Sequence, residues 1–207
     1  MLKLYKEPNR LEVGIDEAGR GCLMGRVYAA AVVMPNEYPD EIYKQIKDSK
    51  KLSAKKRIVL KEYIESNALS YGVGFSEANE IDTLNIYNAT MKAMHRALDN
   101  INMEVDRLLV DGANFKPYLN KDNDYVNYDC IVKGDDTYLS IAAASILAKC
   151  YRDEYVDSII REKESYSIYG WHTNKGYGTK IHLEAIHKNG ITSYHRKSFK
   201  PCNLYNC

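Results

Sequence analysis

Three short apolar runs in this chain each stop on an acid: VGI at Asp16 and Glu17, LLV at Asp111, and CIVKG at Asp135. Runs of this length bounded by turn residues read as buried strands, and the strand ends of an open sheet are where α/β folds build sites. Strand candidates over 11–17 and 26–34 come first, and a third follows over 68–74. Asn85 to Asp99 then puts Ile86, Ala89, Ala93, Met94, Ala97 and Leu98 on one helical face and feeds a strand over 107–110. A short strand is expected over 128–132 and a long Ala-rich helix over 139–160. Ser53 can cap a further helix to about residue 65, with Ile58, Leu60, Tyr63 and Ile64 as its apolar positions. Strands first, then helix and strand alternating, predict an α/β chain: a mixed sheet with helices on its faces.

A length of 207 residues suits one domain with room for a C-terminal appendage. Hydrophobic residues at 45% and charged residues at 28% exclude disordered and fibrous classes. No apolar stretch approaches the roughly 20 residues of a membrane-spanning helix, and MLKLYKEPNRLEV lacks the apolar core of a secretory leader. Cys22, Cys130, Cys150, Cys202 and Cys207 contain no CxxC pair, so neither a zinc site nor a disulfide framework is indicated. A reducing, cytoplasmic home is expected, with inert thiols and with Cys202 and Cys207 free on a loose tail. The net charge of +1 names no partner. It conceals two basic segments, 43–62 with eight Lys/Arg against two acids and 171–207 with six against one. Basic surfaces therefore coexist with an acidic region, although a solvated lysine face on a helix accounts for most such runs.

Acids gathered at strand ends raise one another's pKa and cannot all ionise without a cation. Hard divalent ions resolve the conflict, since Mg²⁺ and Mn²⁺ prefer oxygen ligands and a pair of them can stabilise both the attacking and leaving oxygens of a phosphoryl displacement. Singly, each acid has an ordinary reading: a turn cap at Asp111, a surface loop at Asp135, a solvated side chain at Glu17. Asp16 and Glu17, adjacent on a strand, point to opposite faces and converge only if the strand bends at Glu17. The glycines of GRGCLMG do not fit the GxGxxG dinucleotide spacing. Their other use is to let backbone groups approach a ligand closely, with Arg20 placed to grip a phosphate.

DEAGRG (16–21), DSKKLS (48–53), VDGAN (110–114), KGDDTYLSIAAASILAK (133–149) followed by Arg152 and Asp153, NKGYGT (174–179) and HRKSF (195–199) run in series along the chain. Together they resemble ribonuclease HII. The resemblance implies an RNase H-like fold, a mixed five-stranded sheet flanked by helices, with a catalytic domain over 1–165 and a small helical, substrate-binding extension over 166–207. It assigns catalysis and a two-ion Mg²⁺ or Mn²⁺ site to Asp16, Glu17, Asp111 and Asp135, with Asp16 shared by both ions and Asp136 and Asp153 as mere neighbours. It makes Gly19, Arg20 and Gly21 the reader of the ribose 2′-hydroxyl, the one group that marks a ribonucleotide in DNA, and Tyr177 the residue that stacks on substrate.

The implied activity is endonucleolytic hydrolysis of the RNA strand of RNA–DNA hybrids, and cleavage 5′ of single ribonucleotides embedded in duplex DNA, leaving 5′-phosphate and 3′-hydroxyl ends. The partners are then these nucleic acids, with no membrane and a monomeric protein. Lys50, Lys51 and Lys175 are candidates for phosphate contacts, which position a duplex without reading it. His172, His182, His187 and His195 form no metal motif, since His182 and His187 do not share a helix face, and read as surface or phosphate-contacting residues. Two alternatives stay open: a ribonuclease HIII-like hybrid nuclease, a type that usually carries an extra N-terminal domain, and a nucleic-acid-binding module that keeps the fold without catalysis.

Overall fold

The computed structural model describes residues 2–205. Five strands, β1 (Glu12–Ala18), β2 (Val27–Val33), β3 (Ser70–Ser76), β4 (Arg107–Asp111) and β5 (Asn127–Ile131), form one sheet in the order β3-β2-β1-β4-β5. β1, β2 and β3 pair antiparallel, whereas β1, β4 and β5 pair parallel. The sheet is mixed, as the order of strand and helix signals predicts.

Helices cover both faces. β2, VYAAAVV, is buried along its whole length, which explains why it shows no polar alternation: Val27, Ala29, Ala31 and Val33 join one core cluster and Ala30 and Val32 the other. The first cluster is closed by α3 (Ile86–Asp99), whose Ala89, Ala93, Met94, Ala97 and Leu98 are buried as their helical spacing predicts. The second is closed by α1 (Ala54–Asn67) and α4 (Leu139–Glu162). Small residues let α4 lie close on the sheet. A Cβ at Gly14 would stand 2.1 Å from the carbonyl carbon of Ser140, so the glycine in the middle of β1 is what admits the start of α4.

Ser53 caps α1 by accepting the Lys56 N–H at 3.3 Å. Leu60, Tyr63 and Ile64 are buried there, but Ile58 is exposed. The apolar face of α1 is thus narrower than its sequence suggests, and its basic residues divide: Lys55 is exposed, while Arg57 and Lys61 turn in to pair with Asp153 and Glu154. A helix the sequence reading missed, α2 (Ala78–Leu84), is held by a reciprocal cap between Glu77 and Glu80. Its single buried apolar residue, Ile81, gives no periodicity to detect; the Glu77-x-x-Glu80 cap is the available signal.

Beyond α4 the chain forms a 3-10 turn (Glu164–Tyr169), the short α5 (Trp171–Asn174), α6 (Lys180–Asn189) and a last turn at Cys202–Tyr205. These gather round a third cluster centred on Trp171, which also takes in Leu23 and Met24 from the glycine-rich loop and Val156 and Ile159 of α4. Cys202 is fully buried in that cluster, correcting the expected loose tail, because the chain returns to pack on Leu23; Cys207 lies outside the described residues. Among the described residues no helix is long and apolar enough to cross a membrane.

Candidate active site

Parallel pairing of β1 with β4 stops at Ile15 opposite Val110. Asp16 and Asp111 follow immediately, at the same end of adjacent strands. β1 stays paired with β2 through Ala18, and Glu17 nevertheless stands close enough to Asp16 and Asp111 to interact with both. Asp135 arrives from a 3-10 turn (Gly134–Asp136) after β5, and Asp111 anchors that turn by accepting the Gly134 N–H at 2.7 Å.

These acids oppose one another. Burial raises the Asp16 pKa well above the usual carboxylate range, and Glu17 and Asp111 add to the effect against hydrogen bonds from Ser145 and the Glu17 N–H. Burial also raises Glu17, with Asp111 contributing and Arg20 opposing, and raises Asp135, with Asp111 and Asp48 contributing and Lys50 opposing. Asp111 therefore faces each of the other three. All four donors are hard oxygen groups short of cationic balance, the chemistry a divalent ion satisfies. Among the described residues no group of three or more acidic, His or Cys side chains is already drawn tightly round a single point, so the cluster is an open one. Asp136 is exposed and pairs with Lys51, and Asp153 pairs with Lys149 at 2.6 Å. Asp136 adjoins Asp135, and Asp153 is held by Lys149 and Arg57.

The glycine-rich loop is seated on two buried arginines that sequence reading did not single out. Gly19 has φ +95°, and a Cβ there would lie 2.0 Å from Arg152 Nε. Arg152, 1% exposed, donates to the Lys175 carbonyl at 2.8 Å, while its Nε has no hydrogen-bond partner. Arg196, also buried, donates to the carbonyls of Gly25 and Arg20 at 2.9 Å and of Arg26 at 3.1 Å, and burial pushes its pKa down to about 10. A buried arginine that serves only backbone carbonyls leaves no trace in residue spacing. The arginine and lysine motifs HRKSF and RD were the only hint.

Tyr177 is brought to this loop from the far end of the chain. It bridges to Cys22, the Leu23 N–H donates to the Gly176 carbonyl at 2.8 Å, and a Cβ built on Gly21 would lie 4.0 Å from Tyr177 Cε1. Tyr177 remains 44% exposed, a position fit to meet a ligand. Arg20, proposed to grip phosphate, pairs with Glu17 at 3.2 Å.

The lysines divide. Lys50 is exposed, with Nζ 3.8 Å from Asp135. Partial burial works against its charge, but Asp135, Asp16, Asp48 and Asp111 more than offset this and raise its pKa. Its backbone is fixed by Asp48, whose side chain accepts the Lys50 N–H, and by Ser49, hydrogen-bonded to Ser145 at 2.9 Å. Lys51 faces Asp136, and Lys175 is turned into Asp157 rather than outward. The histidine reading needs correction: His172 and His187 are exposed, but His182 and His195 are fully buried in the third cluster, where no phosphate can reach them.

The family model described as Ribonuclease HII matches residues 13–202. A ribonuclease HII of Parabacteroides distasonis is 49% identical over 199 residues, covering 96% of this chain and 94% of that protein. The crystal structure of ribonuclease H2 from Pyrococcus horikoshii OT3 superposes with a TM-score of 0.74 at 21% identity, covering 94% of this chain and 96% of that one. That of Bst-RNase HIII in complex with Mn²⁺ superposes with a TM-score of 0.72 at 17% identity, covering 94% and 68%.

Proposed function

The chain belongs to the ribonuclease HII family and is a type II ribonuclease H endonuclease, and from that premise we propose that it cuts RNA–DNA hybrids and also duplex DNA on the 5′ side of a single embedded ribonucleotide. The observation that carries this reading is the juxtaposition of two parts. Four acids, of which Asp111 repels each of the other three, gather where β1, β4 and β5 end, and the glycine loop beside them is faced by an exposed tyrosine.

Asp16, Glu17, Asp111 and Asp135 would hold two divalent ions of the Mg²⁺ or Mn²⁺ type; the Mn²⁺ complex of Bst-RNase HIII, alike in fold, supports that choice. When bound, such ions activate water and stabilise the leaving oxygen of an in-line phosphoryl displacement. The chain's own residues do the rest. Backbone groups of Gly19, Arg20 and Gly21, unshielded by a Cβ at two of the three positions, come close enough to a sugar to test for its 2′-hydroxyl. Tyr177 packs against the sugar and thereby places the phosphate next to the acids. Lys50, exposed and drawn toward Asp135, neutralises phosphate at the rim. The 2′-hydroxyl selects and does not attack, so the ends are a 3′-hydroxyl and a 5′-phosphate, and one copy of the chain suffices.

The test is incubation of purified protein with an end-labelled DNA duplex bearing one ribonucleotide, with Mg²⁺, with Mn²⁺ and with EDTA, alongside Asp16→Asn. Cleavage 5′ of the ribonucleotide that needs the metal and is lost in the variant is expected. A folded Asp16→Asn that cuts at near the parent rate would overturn the site, and a continuous hybrid cut while the single ribonucleotide is ignored would overturn the substrate.

A further inference from the structure

Beneath the Tyr177 turn lies a buried polar chain that the cleavage chemistry does not touch. His182 on α6, His195 and Trp171 are all essentially inaccessible to solvent. His182 Nδ1 stands 2.9 Å from the Tyr177 carbonyl oxygen; a carbonyl only accepts, so Nδ1 carries the proton. The opposite nitrogen, Nε2, is then the lone-pair side, and it accepts the Trp171 indole N–H at 3.0 Å. His195 is assigned from its own far end: Nδ1 accepts the Thr192 backbone N–H at 2.9 Å and faces the Thr192 hydroxyl at 3.0 Å. Its proton therefore sits on Nε2, 3.1 Å from His182 Nε2, whose single lone pair this donor shares with the Trp171 N–H. Every ring nitrogen is used, and both imidazoles are neutral. Burial holds both histidines below their ordinary pKa, consistent with the assignment that the hydrogen bonds already make.

The proton on His182 Nδ1 is the one this histidine pair directs toward the turn, onto the Tyr177 carbonyl. The turn it meets is held from the opposite side by the Leu23 N–H on the Gly176 carbonyl, by Arg152 on the Lys175 carbonyl and by the Asn174 side chain, which accepts the Gly176 N–H. Lys175 and Gly176 have φ +48° and +84°, Gly178 has no side chain, and the Tyr177 ring is half exposed with the Arg152 guanidinium 5.9 Å from its centroid. At Tyr177 itself the backbone is held by its N–H on the Asn174 carbonyl at 2.9 Å and by two donors, the Thr179 N–H and His182, that share the Tyr177 carbonyl.

We infer that His182 and His195 are positioning residues for the endonuclease reaction: the hydrogen-bonded pair holds one N–H on the Tyr177 backbone and so fixes how the tyrosine ring is presented beside the glycine loop. The inference rests on the reading of Tyr177 as a group that touches substrate. A ring supported this way is preorganised for a sugar; without the support it samples poses that must be gathered in on binding.

Two amide replacements separate the two ends of His182. In His182→Asn the amide falls near the Nδ1 position and keeps a donor for Tyr177. In His182→Gln it reaches the Nε2 position, serves Trp171 and His195, and withdraws the donor. Steady-state kinetics on the single-ribonucleotide duplex, with Tyr177→Ala and Tyr177→Ala/His182→Gln alongside, should show His182→Gln raising KM about tenfold, the scale of one hydrogen bond to a positioned group. Its kcat should stay within about threefold, His182→Asn should stay near the parent, and His182→Gln should add nothing in the Tyr177→Ala background. Equal losses in both amide variants, or additivity with Tyr177→Ala, overturn the inference. If Tyr177→Ala itself leaves KM and kcat unchanged, it is the role of Tyr177 that fails, and the inference falls with it. Should the variants not fold, ring ¹⁵N spectra of the parent protein decide: His182 protonated at Nδ1 and His195 at Nε2, both neutral at pH 6, is expected, and the reverse tautomers overturn it.

Discussion

At Asp16 the demands of folding and of chemistry oppose each other. Its carboxylate is buried among Glu17 and Asp111, which raises its pKa and means that, ionised, it destabilises the fold. Asp16→Asn should therefore raise the thermal midpoint in metal-free buffer while slowing cleavage by more than a hundredfold, the loss of several kcal/mol of transition-state stabilisation. Added Mg²⁺ or Mn²⁺ should raise the midpoint of the parent and leave that of the variant nearly unmoved. A variant less stable than the parent without metal would contradict this account. Gly19 makes a second residue-scale case, since its positive φ and its approach to Arg152 both exclude a side chain. Gly19→Ala should cost about 2–4 kcal/mol in urea unfolding and erase discrimination of the single ribonucleotide before it erases hybrid cleavage. The acids and Gly19 were legible because strand ends and glycine clusters constrain chemistry directly. Arg152, Arg196 and the His182–His195 pair were not, because what recruits them is burial, a property that adjacent residues in the sequence do not encode.

Elements were legible in proportion to how much apolar surface each commits to a core. α3 spaces its buried residues at helical intervals on one face, and β2 is apolar throughout, so both were found. α2 commits only Ile81 and is held by its cap, and α1 exposes Ile58, so pattern alone missed the first and overstated the second. The seating of α4 on β1 is the element on which the site depends most, because α4 brings Ser145 to Asp16. A Cβ at Gly14 would meet the Ser140 backbone at 2.1 Å, and backbone cannot yield as a flexible side chain can. Gly14→Ala should lower stability by about 2–4 kcal/mol and also reduce kcat, although Gly14 is one full turn of the pleat from the acids. Unchanged kcat in a measurably destabilised variant would show that the helix can shift without disturbing Asp16. Ser53→Ala, which removes only the α1 cap, should cost about 1 kcal/mol and leave kcat alone.

On the scale of the whole molecule, stability should fall in mild acid, and His195 names the reason. Its folded pKa is pushed down to about 3 by burial, with His182 adding to the effect, against about 6.5 in an unfolded chain. The unfolded state therefore takes up a proton first, so the contribution is complete above about pH 6.5 and is lost as pH falls toward 3. Asp16, Glu17 and Asp135 act with the opposite sign, because their raised pKa values relieve repulsion as pH falls. Comparison isolates the histidine: between pH 7.5 and 5.5 the parent should lose more unfolding free energy than His195→Gln, and equal losses would refute the assignment.

The bonds that join the glycine loop to the C-terminal cluster, Leu23 to Gly176, Gly25 to Tyr194 and Arg196 to Arg20, connect the two ends of the chain. The four acids proposed to hold metal, and the helix behind them, lie before residue 163 and so emerge from the ribosome ahead of Tyr177, His182, His195 and Arg196. The supports of the proposed ribose reader are thus the last to join the fold during translation, and a prematurely released product would carry the acids and the glycine loop without Tyr177 to face that loop or Arg196 to seat it.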